Sequence, residues 1–194
     1  MVTLEKIQEL RKRTSAPLID CKNCLEESQG DVDQAVDLLR KKGLKSAAKK
    51  GDRATLEGCI GSYVHTTGKV AALVALSCET DFVARTDEFK TLAKDVAMQI
   101  TASAPVYIKP SDISREAIEK EKEIYRAQLV LEKKPPDIIE KILEGKLEKF
   151  YTEVCLLNQP FVKEDKKTVG ELIKEHMVAL GENIEVKEMF RISL

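Results

Sequence analysis

The sequence predicts an α+β protein: an N-terminal three-helix unit, followed by an antiparallel sheet with packed helices and a helical hairpin. Three observations carry this. Apolar residues recur at helical spacing through residues 1–52. Two runs rich in Val, Ile, Leu and Tyr follow, joined by Thr66-Thr67-Gly68-Lys69, the pattern of a β-hairpin with a Gly-bearing turn. Helical periodicity then returns, and the chain closes on an alternating apolar–polar tail.

The elements follow in order. Leu4, Ile7 and Leu10 mark a first helix, broken at Thr14-Ser15-Ala16-Pro17. Pro17 is placed to open a second helix, which carries Leu18, Ile19 and Leu25 and stops near Gly30. Asp31 is a cap for a third, with Val32, Ala35, Val36, Leu38 and Leu39 inward. Arg40, Lys41, Lys42 and then Gly43 supply favourable C-terminal chemistry, and 44–51 is a short helical or flexible connector. The hairpin runs through Leu56–Val64 and Val70–Leu76. Phe89, Leu92, Ala93, Val96, Ala97 and Ile100 make one apolar helical stripe, ended at Ala104-Pro105. Ser114 caps the first arm of a charged helical hairpin over 114–157. Lys134-Pro135-Pro136-Asp137 is its turn, and Ile138, Ile139, Ile142, Leu143, Leu147 and Phe150 lie on its second arm. Thr168-Val169-Gly170-Glu171 has capping-box spacing, Gly181 ends that helix, and Asn183–Leu194 reads as a final strand. The expected division is 1–52 and 53–194.

Composition narrows the function. With 194 residues, the chain has room for one domain or two small ones of the usual ~100–200 residues. Lys plus Arg number 32 and Asp plus Glu 33, and this balance argues against a generic nucleic-acid binder. No run approaches the ~18 consecutive apolar residues of a membrane span. The first residues lack the basic and apolar regions of a secretory signal. Five scattered cysteines, an odd number, fit a reducing cytoplasm better than a disulfide scaffold.

Chemistry-bearing motifs are few. Cys21-Lys22-Asn23-Cys24 is a CxxC, which at a helix N-terminus can hold a reactive thiolate. A second CxxC, needed for a convincing zinc site, is missing, and Cys59 and His65 have no signature spacing as further ligands. The plainer reading packs one of the pair as a small apolar residue and leaves the other near the surface. A helix-turn-helix reading would set Arg11, Lys12 and Arg13 on phosphates, but Glu26, Glu27, Asp31, Asp33 and Asp37 lie in the approaching helices. No phosphate-binding glycine loop, Ser-His-Asp order or HExxH occurs, and no catalytic residue, metal site or cofactor is expected. One segment stands out: Cys78-Glu79-Thr80-Asp81-Phe82-Val83-Ala84-Arg85, an acidic–aromatic pair at a strand–helix junction. On physical grounds Phe82 and Val83 belong equally well to the core or to a contact with another protein.

That segment, read with its surroundings, resembles the bacterial translation elongation factor Ts family over nearly the whole chain. Leu10-Arg11-Lys12-Arg13-Thr14 with Asp20-Cys21-Lys22 looks like the family's first signature, and Cys78–Ala84 like its second. Glu148-Lys149-Phe150-Tyr151, Gln159-Pro160-Phe161-Val162, Lys167-Thr168-Val169-Gly170 and Gly181-Glu182-Asn183-Ile184 follow in the family's order. The resemblance implies guanine-nucleotide exchange on elongation factor Tu, in its GDP-bound and nucleotide-free states, in the cytoplasm. It implies that residues 1–52 are similar to ubiquitin-associated domains and dock on the GTPase through Arg11, Leu18 and Ile19. It implies that Thr80, Asp81, Phe82 and Val83 displace Mg²⁺ from the GTPase, with Asp81 and Phe82 as the intruding pair. Leu18 and Ile19 stand where a Met pair is frequent and keep the apolar contact, and Cys24 stands where Ala is frequent. The chain resembles the short members, which have a single-lobed core and pair as homodimers, so a homodimer is expected. A passive holdase of the GTPase and a CxxC thiol-redox protein are the competing readings.

Overall fold

The computed structural model describes residues 2–14, 16–132 and 135–194, without the side chains of 44–49 and 136–138. Ser15 and Lys134, part of the two breaks read from sequence, lie outside the described residues, as does the Ile138 side chain.

Three helices open the chain: α1 (Leu4–Thr14), α2 (Leu18–Glu27) and α3 (Val32–Lys50). Ile7, Leu10, Ala16, Cys21, Cys24, Leu25, Ala35 and Leu39 form their shared core. Leu4 does not join it and is exposed. Spacing of three drifts around a 3.6-residue helix, so Leu4 lies roughly 120° from Leu10 and faces water. Pro17 stands immediately before α2. After α2 the Gly30 N–H donates to Leu25 O at 2.8 Å, and Asp31 Oδ1 accepts from the Gln34 N–H at 3.0 Å to cap α3. The expected stop at Gly43 is not used: α3 runs on to Lys50. There it packs on a later helix, α8 (Val169–Leu180), where a Cβ at Gly43 would lie 3.3 Å from Val178 Cγ2. Arg40 pairs with Glu171 at 3.1 Å, and Lys50 Nζ donates to Met177 O at 3.1 Å. These partners are about 130 positions away, so no local signal announces them.

The second core is built on a three-stranded antiparallel sheet in the order β1 (Glu57–Val64), β2 (Val70–Cys78), β5 (Ile184–Ser193). The central strand is therefore flanked by its hairpin partner and by the end of the chain. α4 (Asp81–Ala84) and α5 (Asp87–Ser103) follow β2, each with its own N-cap, Thr80 and Thr86. The apolar stripe of α5 buries Phe89, Leu92, Ala93, Val96, Ala97 and Ile100 against Ala72, Val74 and Leu76 of β2. Each fully buried large side chain of this contact contributes ~1.5–3 kcal/mol. Gly61 makes it possible: a Cβ there would sit 2.4 Å from Ala93 O, so only glycine lets α5 lie this close to β1.

The rest of the chain closes the core. α6 (Arg115–Leu131) and α7 (Pro136–Val154) form the expected hairpin, with Leu129 and Leu143 buried and Arg126 paired to Glu140. Its base is held by the Val106 and Tyr107 N–H groups on Val154 O. A small ribbon, β3 (Pro160–Phe161) with β4 (Glu164–Thr168), was not expected. Buried Gln99 ties it to α5, donating to Gln159 Oε1 and Pro160 O and accepting from the Val162 N–H at 2.8 Å. Thr168 and Glu171 make the reciprocal capping box of α8. Gly181 ends that helix in the left-handed region at φ 79° and turns the chain back into β5.

Two glycine substitutions test this packing with opposite signs. Gly61→Ala is expected to destabilise the chain by about 2 kcal/mol or more, because the clash is with backbone. Gly145→Ala, in the exposed middle of α7 with open space around it, is expected to stabilise by ~0.5–1 kcal/mol. Urea unfolding midpoints check both, and an unchanged midpoint for Gly61→Ala would contradict the close approach of α5.

Candidate functional site

The chain leaves β2 at Cys78, whose Sγ donates to Thr80 O at 3.2 Å. Past that point the strand has no ladder partner, and the N–H groups of Glu79 and Thr80 turn to a carboxylate instead. Both donate to Glu182 Oε2, at 3.1 and 3.0 Å, and Thr80 Oγ1 donates to Glu182 Oε1 at 2.6 Å. The same Thr80 oxygen accepts from the Val83 N–H at 3.4 Å, which caps α4. Thr86 Oγ1 donates to Val83 O at 2.8 Å and accepts from the Phe89 N–H, so the end of α4 is welded to the start of α5.

This framework decides which way each tip residue points. Val83 packs against the core and Ala84 is buried. Phe82 faces out and is 80% exposed, so of the two readings open to it, core or contact, its position fits the contact. Asp81 is half-buried and pairs with Arg85 at 2.9 Å across one turn. An exposed i, i+4 pair of this kind is worth only a few tenths of a kcal/mol, so another cation can exchange for Arg85 at little cost. An exposed phenyl ring on a four-residue helix, rooted by a carboxylate and two threonines, is a rigid apolar projection.

The other candidate residues lie on the three-helix unit. Arg11 is exposed on α1, and Leu18 and Ile19, 48% and 71% exposed, open α2 just after Pro17. Their neighbours Cys21, Cys24 and Leu25 take the inner face, which leaves this apolar pair outside. Among the described residues no hydrogen bond or ion pair joins this set to the tip. Sequence reasoning placed Glu182 in a family-like motif but gave it no role at the site. Its signal was faint: a lone acid after a helix-ending glycine, whose partners lie about 100 positions earlier.

The CxxC is not a surface thiol pair. Cys21 and Cys24 are both fully buried, contrary to the expectation that one lies near the surface. Cys24 sits one turn after Cys21 on the same inward face, and Cys21 Sγ donates to Ala16 O at 3.6 Å. Burial raises both thiol pKa values, as it does for Cys59 and Cys155, and pushes Cys78 up to about 11. Among the described residues no three His, Cys, Asp or Glu side chains gather as a metal-ion site.

Comparison with known proteins places this sequence in a family. Residues 19–194 match the family described as Elongation factor TS. The chain is 50% identical over 194 residues to elongation factor Ts of Carboxydothermus hydrogenoformans, across all of this chain and 89% of that one. It is 52% identical over 193 residues to that of Thermodesulfovibrio yellowstonii, across 100% of this chain and 96% of the relative. With the protein of Koribacter versatilis the figures are 51%, 100% and 88%. By class, then, this is a translation elongation factor of protein biosynthesis. The chain belongs to the elongation factor Ts family.

The buried thiols give a direct test. Because the thiolate is the reactive form and each pKa is raised, the native protein at pH 8 is expected to react with a disulfide reagent slowly. Half-buried Cys59 should react first, and Cys21, Cys24, Cys78 and Cys155 only as fast as the fold opens. Five thiols should react at once in denaturant. Rapid native labelling of Cys21 or Cys24 would contradict their burial.

Proposed function

We propose that the chain is a guanine-nucleotide exchange factor for elongation factor Tu, and that it promotes GDP release by disturbing the Mg²⁺ and phosphate site of that GTPase. The single observation that supports this most is the outward Phe82 on its rooted tip, the segment through which the family resemblance implies contact with the GTPase. Exchange needs no bond-making residue. The factor has only to bind the nucleotide-free GTPase more tightly than the GDP form, and linkage makes GDP and the factor weaken each other's binding. Mg²⁺ demands near-ideal octahedral geometry, so a small displacement of its supporting shell costs much of its affinity. In this reading Phe82 wedges between elements of the GTPase and shifts that shell. Asp81 exchanges Arg85 for a partner group and holds the shifted arrangement, while Thr80 and Val83 fix the tip.

Residues 1–52 then act as a docking module similar to ubiquitin-associated domains, with Arg11, Leu18 and Ile19 on the GTPase. Residues 53–194 act as the core that presents the tip. Docking raises the effective concentration of the tip at its target. The protein works in the cytoplasm, with no cofactor and without nucleic acid or membrane as partner. It is not an enzyme in the bond-making sense.

A homodimer belongs to the same reading. The face of the sheet turned away from α5 carries Ile60, Val64, Leu73, Phe190 and Ile192, all exposed. A contiguous apolar face of this kind marks an interaction surface, and a second copy covers it. Phe190→Glu, opposite Leu73 of the central strand, is expected to turn a dimer into a monomer in sedimentation equilibrium, and a wild-type monomer would contradict the dimer.

Release of fluorescent GDP from elongation factor Tu, with catalytic amounts of this protein, tests the exchange reading. A large acceleration is expected. Phe82→Ala should lower the maximal rate more than it weakens the complex, whereas Ile19→Ala should raise the concentration needed for half-maximal effect with little change in maximal rate. A complex that forms without accelerating release would identify a passive holdase.

A further inference from the structure

We propose that Glu182 is a positioning residue for nucleotide exchange: its carboxylate aims the Phe82 tip. The proposal rests on the exchange reading of that tip and adds to it a residue outside the tip itself.

The argument begins with the register. β2 and β5 pair antiparallel, with Cys78 opposite Ile184. Continuing that register beyond the ladder sets Asn183 opposite Glu79 and Glu182 opposite Thr80. The contacts follow it: the Asn183 N–H donates to Glu79 Oε1 at 2.6 Å, and Glu182 receives the two N–H groups and the Thr80 hydroxyl. Glu182 is delivered there by Gly181, whose left-handed turn ends α8 three residues before Ile184, the end of the ladder.

The carboxylate does three things at once. It satisfies two backbone donors that the sheet leaves without partners. It accepts a hydrogen bond from the Thr80 hydroxyl, which leaves the Thr80 oxygen lone pairs free to cap α4 through Val83. It thereby fixes the direction in which α4 starts. A helix of four residues has no stability of its own, since nucleation is unfavourable and cooperativity has no length to act on. Its orientation is imposed by its ends. Thr86 holds the far end, and Glu182 acting through Thr80 holds the near one. Asn183 ties the same knot to the exit of α3, its Nδ2 donating to Gly51 O at 3.2 Å and Arg53 O at 2.8 Å. The helical unit and the tip therefore share one anchor.

Glu182→Gln keeps the shape and removes one acceptor oxygen, so an amide N–H must face either the backbone donors or the Thr80 hydroxyl. With fluorescent GDP on elongation factor Tu and the full-length variant, the maximal release rate is expected to fall roughly tenfold, within the loss that ångström-scale misplacement produces. The half-saturating concentration should stay within about twofold. In the Phe82→Ala background the same substitution should cause no further loss, because the residue acts through Phe82. If Glu182→Gln does not fold, Thr80→Val carries the test: it should be slow in the same way, and Thr80→Ser should recover most of the rate. Phe82→Ala at the wild-type rate would overturn the wedge and the positioning role together. A slow Phe82→Ala beside a wild-type Glu182→Gln would overturn the positioning role alone. So would losses that add in the double variant.

Discussion

The antiparallel pairing of β2 with β5 is the constraint on which the rest depends. It joins residues more than 100 positions apart, places the central strand between a local and a distant partner, and completes the surface on which α5 lies. It also determines what stands beyond the ladder. Because Cys78 meets Ile184, the chain leaving β2 meets the chain entering β5, and the tip is held by residues that no local signal connects with it. Contacts of this separation are the ones whose loop-closure entropy must be offset before they stabilise anything. Here the buried stripe from Phe89 to Ile100 supplies that offset.

Most of the architecture was legible in the sequence because its cues are local. The Asp31 cap, the Thr66–Lys69 turn, the Ser114 cap and the Thr168–Glu171 box each act within four residues of themselves, and each is found where it was read. The failures have one physical origin. Gly43 has the chemistry of a helix end, but α8 offers α3 a surface to continue along. One cysteine of the CxxC was expected near the surface, yet Cys21 and Cys24 share the inward face of α2. The β3–β4 ribbon is invisible to pattern because Glu164-Asp165-Lys166-Lys167 has no apolar alternation, and its tie to the core passes through Gln99.

The candidate site was legible in its residues but not in its support. Thr80 to Val83, and Leu18 with Ile19, were named from sequence; of these Leu18, Ile19 and Phe82 are exposed, whereas Val83 packs against the core. What the sequence concealed is the rooting: Thr80 shared between Glu182 and Val83, and the Asn183 bridge to the end of α3. In the proposed exchange reading, one part of the chain holds the GTPase while another disturbs it.

The central claim is that Phe82 acts on the Mg²⁺ shell and not on GDP binding in general. Its most direct test is the GDP-release rate of elongation factor Tu with wild-type factor and with Phe82→Ala, measured in excess Mg²⁺ and again after chelation. With Mg²⁺ present the variant should lag far behind the wild type, and once Mg²⁺ is removed the two should converge. An equal lag under both conditions would mean that Phe82 works by some route other than the metal shell, and the account would fail at its centre.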